Sequence, residues 1–182
     1  MKKIALAFLL MSSVTAFSQT EKGAVLVGGA LSFQTTSNNS SFVLNPNVGF
    51  FPFNNFAFGL GTNFNYSKQG DIKSNQVGLG PFLRYYVGKT QTKPFITTEI
   101  SYLHRKFETS LTESSSNGFG FLLGLGFAAF VNETVAIEGL TGYNYSDFND
   151  ASSASGFTMR FGFQLYFNRK NYDALKTNVI GQ

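Results

Sequence analysis

Phe157 to Phe167 reads F-T-M-R-F-G-F-Q-L-Y-F. Successive side chains of a strand point to opposite sides. Phe157, Met159, Phe161, Phe163, Leu165 and Phe167 therefore share one face, and Thr158, Arg160, Gly162, Gln164 and Tyr166 share the other. One side of this strand suits a greasy medium and the other does not. The same period-two pattern recurs about eight times behind an export leader, a combination that predicts a barrel in a bacterial outer membrane.

Seven further segments carry the pattern. Residues 23–34 put Val25, Val27, Leu31 and Phe33 on one face, 42–51 put Phe42, Leu44, Pro46, Val48 and Phe50 there, and 56–66 put Phe56, Phe58, Leu60, Phe64 and Tyr66 there. Residues 76–87, 95–105, 118–130 and 135–145 follow suit, the weakest being 95–105, with Ile96, Thr98, Ile100, Tyr102 and His104. The expected fold is all-β: an eight-stranded antiparallel transmembrane β-barrel, an up-and-down meander.

The opposite faces separate a membrane barrel from a soluble one. A lipocalin-like barrel turns its apolar face inward and shows Lys and Glu to water. Here the second face is mainly Gly, Ala, Asn, Ser and Thr, which suit a narrow, filled interior. Its few charges are Arg84, Glu99, Glu138 and Arg160. Arg84 and Glu99 lie about equally far from the turn between their strands, and Glu138 and Arg160 nearly face each other across the last hairpin. The expected ion pairs are therefore Arg84 with Glu99 and Glu138 with Arg160, acting as a structural plug.

Connections alternate in length. Residues 52–55, 88–93 and 132–134 are short, whereas 35–41, 67–75, 106–117 and 146–155 are longer and rich in Ser, Asn, Asp and Lys. That asymmetry predicts short periplasmic turns and long outer loops. Two short turns look like copies: Phe51-Pro52-Phe53-Asn54-Asn55-Phe56-Ala57-Phe58 aligns without gaps on Phe130-Val131-Asn132-Glu133-Thr134-Val135-Ala136-Ile137. Aromatics gather at strand ends, Phe50, Phe51, Phe53, Phe56, Phe130 and Phe167 at one and Tyr66, Tyr102, Tyr143 and Tyr145 at the other, as expected of girdles at the two membrane interfaces.

The termini and the composition agree with this reading. Met1 to Ser18 has Lys2 and Lys3, an apolar run from Ile4 to Met11 and the small-x-small ending Ala16-Phe17-Ser18, the form of a cleaved signal peptide. Residues 19–168 form the expected barrel domain and 169–182 a short periplasmic tail. Without Lys2 and Lys3, twelve of the fourteen basic residues remain against ten acidic ones, which gives no footprint for nucleic acid. Charged residues make up 13%, about half the ~25% usual in soluble domains. One His and no Cys provide no conventional transition-metal site, and no cofactor is expected.

The chain resembles the small outer-membrane β-barrel proteins of the OmpA/OmpX type, particularly the versions common in Bacteroidetes. Residues 49–59, G-F-F-P-F-N-N-F-A-F-G, and the last strand carry the resemblance, which covers roughly residues 23–168. It implies an integral outer-membrane location, contact with outer-membrane lipid and lipopolysaccharide, and insertion by the barrel-assembly machinery. The assembly signal of the family, polar-x-Gly-x-x-apolar-x-aromatic, matches Arg160, Gly162, Leu165 and Phe167, although here Asn168 to Gln182 follow it.

Some eight-stranded barrels are lipid A-modifying enzymes that use a His with a Ser, and His104 is the only histidine. Ser101 lies on the opposite face from His104, and Ser110 is six residues further along. His104, Arg105 and Lys106 are read instead as rim residues that meet lipopolysaccharide phosphates. The expected role is structural or surface-interacting and non-enzymatic, with residues 106–117 and 146–155 as the interacting loops. Lipid A acyl transfer or deacylation and a narrow porin-like solute pore are the alternatives.

Overall fold

A computed structural model of the protein describes residues 19–36, 39–69, 72–108, 113–149 and 151–168. The leader, the tail 169–182 and Ser110 lie outside the described residues. Eight strands follow in order: β1 Val25–Thr36, β2 Asn39–Phe53, β3 Phe56–Gln69, β4 Ile72–Tyr86, β5 Thr92–Glu108, β6 Glu113–Phe130, β7 Val135–Phe148 and β8 Ala151–Phe167. Each pairs antiparallel with the next, and β8 returns to β1 to close a barrel. Closure removes every sheet edge that would otherwise leave backbone groups unsatisfied in lipid. Among the described residues no helix is long and apolar enough to cross a membrane.

Alternation decides which side chains meet which medium. Val77, Leu79, Leu83 and Tyr85 of β4 are exposed on the outer wall, whereas Phe82, Arg84 and Tyr86 are buried in the lumen. On β8, Phe157, Met159, Phe161 and Phe163 are exposed and Gln164 and Tyr166 are buried. Pro46 and Pro81 lack the N–H a ladder needs. Pairing is accordingly interrupted at Asn45-Pro46 opposite Thr62-Asn63 and at Gly80-Pro81 opposite Ile100-Ser101.

The expected long loops are largely strand. Ladders run on through Thr36↔Asn39, Gln69↔Ile72, Glu108↔Glu113 and Phe148↔Ala151, deep into the segments read as connections. Their Ser, Asn and Lys mark where the strand leaves the apolar layer, and a backbone ladder needs no apolar side chains to continue in water. The asymmetry of the barrel is thus polar strand extensions at one end and bare turns at the other.

The two copied hairpins occupy equivalent places. Phe51 and Phe130 both point inward, and Ala57 and Ala136 are both completely buried. Phe51 and Phe130 therefore do not belong to a girdle: strand parity turns them into the lumen. Phe53 regains the outer wall through a register shift between Phe50 and Phe53. Asn55 takes up the left-handed conformation at φ 64° in the β2–β3 turn, which Asn tolerates.

Candidate functional site

The lumen is layered. At the short-turn end Leu26, Phe51, Tyr86, Phe95, Phe130 and Tyr166 form one buried cluster. The Phe130 and Tyr166 rings lie 4.8 Å apart between centroids, and those of Tyr86 and Phe95 lie 5.4 Å apart. The chain entering β1 closes this end further. Gly23 N donates to Phe51 O at 2.8 Å, and Lys93 Nζ donates to Thr20 Oγ1 at 2.9 Å, with Thr20 Oγ1 in turn donating to Asn55 Oδ1 at 2.6 Å.

Two ion pairs lie above this floor. Arg84 Nη1 meets Glu138 Oε2 at 2.8 Å, and Arg160 Nη1 meets Glu99 Oε2 at 2.8 Å. All four charges are inside the barrel, but the partners differ from those expected. Along each hairpin Arg84 is the Cα partner of Thr97 and Glu99 of Phe82, while Glu138 partners Gly162 and Arg160 partners Leu140. On one wall such residues sit only diagonally. Across a lumen this narrow, long side chains from β4 and β7, or from β5 and β8, meet end to end.

The Arg84–Glu138 pair is the deeper one, with the residues 5% and 6% exposed, and two tyrosines brace it. Tyr166 OH donates to Glu138 Oε1 at 2.6 Å, which leaves Tyr86 OH to donate to Tyr166 OH at 2.8 Å. Arg84 Nη1 also donates to Tyr86 OH at 3.2 Å, and its Cζ stands 4.4 Å from the Phe95 ring centroid. Arg160 and Glu99 are more open, with side-chain exposures of 18% and 28%.

Towards the other end comes a row of amides absent from the sequence reading. Arg105 donates through Nε and Nη2 to Gln76 Oε1 at 3.1 and 2.7 Å, Gln76 Nε2 donates to Asn63 Oδ1 at 3.4 Å, and Asn63 Nδ2 donates to Asn45 Oδ1 at 2.7 Å. Arg105 thus faces the lumen, stacked 3.8 Å from the Phe148 ring centroid, and leaves the rim to His104 and Lys106 on the outer wall. Parity alone separates residue 105 from 104 and 106. A cavity of about 240 Å³ lies beside this row, and a smaller one of about 30 Å³ lies between the two ion pairs.

His104 Nδ1 is 2.7 Å from Asn117 Oδ1 on the outer wall, and Ser101 lines the cavity on the inner side. The barrel wall therefore separates the histidine from the hydroxyl. Of the strand residues matching the assembly signal, Gly162 lies on the β1–β8 seam opposite Ala30, and Phe167 ends β8 opposite Val25. A Cβ at Gly162 would run into the Gly29 carbonyl oxygen, so close strand approach requires glycine there whatever else reads it. Among the described residues no His, Cys, Asp and Glu cluster could hold a metal.

The family model "Outer membrane protein beta-barrel domain" matches residues 4–178. Among solved structures, the chain is similar to Neisserial surface protein A, at 18% identity and a TM-score of 0.63, covering 79% of this chain and 96% of that one. It is also similar to the N-terminal β-barrel domain of Pseudomonas aeruginosa OprF, at 10% identity and a TM-score of 0.59, covering 80% and 98%. OprG of Pseudomonas aeruginosa follows at 13% identity and a TM-score of 0.52, covering 82% and 99%. No curated protein matches it. At these identities the similar structures speak for the fold.

Proposed function

The chain belongs to the outer membrane protein β-barrel domain family, and from that premise we propose that it is a non-enzymatic envelope protein with a structural and surface-interacting role. It is an integral protein of the bacterial outer membrane. The observation that carries the proposal is the filled lumen: six large side chains and a buried ion pair occupy the periplasmic part, where a solute pore would need an open path. On this reading residues 1–18 are a cleaved signal, residues 169–182 a periplasmic tail, and the last strand the signal for the barrel-assembly machinery.

The outward partner on this reading is lipopolysaccharide. Lys68 and Lys73 are exposed Cα partners on the outer wall, just past Tyr66, and Lys106 lies a diagonal away. Like charges directly opposite on a sheet repel, and a phosphate at headgroup level offsets that repulsion. Each such lysine contributes about 1 kcal/mol towards an anionic surface. Adding lipid A to the detergent-solubilised protein is expected to raise its unfolding temperature, and the Lys68→Gln, Lys73→Gln protein should lose most of that gain. Equal gains from intact and dephosphorylated lipid A would count against the phosphate contact.

The separation of His104 from Ser101 favours the non-enzymatic reading over lipid A acyl chemistry. Purified wild type and His104→Ala are expected to show the same background in a lipid A deacylase and palmitoyl-transfer assay. Turnover by the wild type that His104→Ala abolishes would reverse the assignment.

A further inference from the structure

The amide row in the outer lumen ends on an unanswered donor. We propose that this end is a binding site for a small hydroxylated carboxylate, a compound of the sugar-acid class. The direction of the row is fixed at its head. A guanidinium can only donate, so Gln76 must turn its carbonyl oxygen to Arg105, which sends its N–H to Asn63 and that of Asn63 to Asn45. Asn45 is left presenting Nδ2, which has no partner although the residue is only 6% exposed. Arg84, 5% exposed, has spent Nη1 on Glu138 and Tyr86 and keeps an unpartnered Nε.

Both residues line the cavity of about 240 Å³, and so do Asn47 and Asn65, whose buried Oδ1 atoms have no partner either. Buried polar atoms left without hydrogen bonds are costly, and clusters of them call for an occupant. Two donors, one cationic and one at the positive end of a polarised row, call for a carboxylate. Two amide oxygens call for hydroxyl groups. The charges agree: Glu99 and Glu138 are taken by Arg160 and Arg84, while Arg105 donates through Nε and Nη2 to the neutral amide of Gln76, so the described lumen holds one more guanidinium than carboxylates. The cavity is larger than a few ordered waters need and suits about a dozen non-hydrogen atoms. The interrupted pairings at Pro46 and Pro81 lie in its wall, loosening the ladder at that height.

The test uses the full protein purified from outer membranes in detergent and titrated calorimetrically with sodium gluconate, with neutral glucitol and sodium chloride as matched probes. Gluconate is expected to bind saturably, and glucitol about ten-fold or more weakly, because it leaves both donors without an anion. Asn45→Asp keeps the shape, still accepts from Asn63 and turns a second oxygen towards the space Nδ2 served. It is expected to stay folded, as judged by heat-dependent gel mobility, and to weaken gluconate binding by about ten-fold or more. Should that protein not fold, Arg105→Gln puts the same question by removing the cation that orients the row, with the same direction expected. Absence of saturable gluconate binding, equal affinity for gluconate and glucitol, or unchanged affinity in either folded variant would overturn the site and leave a cavity holding water only. Chloride binding as tight as gluconate would overturn the hydroxylated class.

Discussion

Glu138→Ala is expected to lower the unfolding free energy by ~3 to 5 kcal/mol, because it leaves the Arg84 guanidinium buried without a counter-charge. Tyr166 OH loses its acceptor in the same step, and with it the proton order that ties Tyr86 to Tyr166. The measurement is denaturant unfolding in lipid vesicles, followed by far-ultraviolet circular dichroism. Removing both partners together, as Arg84→Met with Glu138→Leu, should restore most of the loss, since the pair's attraction largely repays its own desolvation. The cycle also tells which pairing is real. Arg84→Ala and Glu138→Ala should couple strongly, whereas Arg160→Ala and Glu138→Ala should sum, because Arg160 belongs to Glu99. Coupling of the second set and additivity of the first would place the ion pairs along the hairpins instead.

Gly162→Val is expected to prevent formation of the folded barrel. Among the described residues the β1–β8 seam has seven Cα pairs, from Val25↔Phe167 to Leu31↔Phe161, against eleven or more in every other strand pair. A side chain at Gly162 meets the Gly29 carbonyl and, at 2.7 Å, the Ala30 Cα, both backbone atoms that no rotamer change can move. The cost falls at or above the top of the ~1 to 3 kcal/mol usual for overpacking, on the pairing least able to bear it. Gly156 on the same strand provides the control, with nothing within 4 Å of its virtual Cβ, so Gly156→Val should fold normally. Refolding into vesicles, scored by heat-dependent gel mobility, separates two roles for Gly162. Failure both in vitro and in cells assigns it to the seam. Failure in cells with normal refolding in vitro assigns it to recognition by the assembly machinery.

Alternation made the barrel legible because one medium lies outside and another inside, so parity carries the information. Phe157 to Phe167 shows this most fully, and β5, the weakest pattern, still runs for 17 residues because its neighbours on both sides supply the ladder. Parity also pointed Phe51, Phe130, Tyr86 and Arg105 inward. For Phe51, Phe130 and Arg105 parity outweighs nearness to a strand end or to basic neighbours in the chain, and all three face the lumen. The ion-pair partners were beyond reach for another reason: sequence spacing reports distance along a hairpin, while β4 and β7 meet only through closure of the whole cylinder. Polar composition likewise marked the exit from lipid, not the end of the strand. The amide row left a faint trace, Asn45, Asn63 and Gln76 at inward positions of three consecutive strands, but its donor direction depends on Arg105 being inside.

The stacked floor at the short-turn end has a consequence for the cell. On the proposed reading, a barrel whose base is packed with Phe51, Tyr86, Phe95, Phe130 and Tyr166 adds nothing to leakage. Its abundance is then uncoupled from the permeability of the envelope. Many copies could be laid side by side without admitting ions, detergents or antibiotics, which leaves expression level free to follow whatever the exposed surface is needed for.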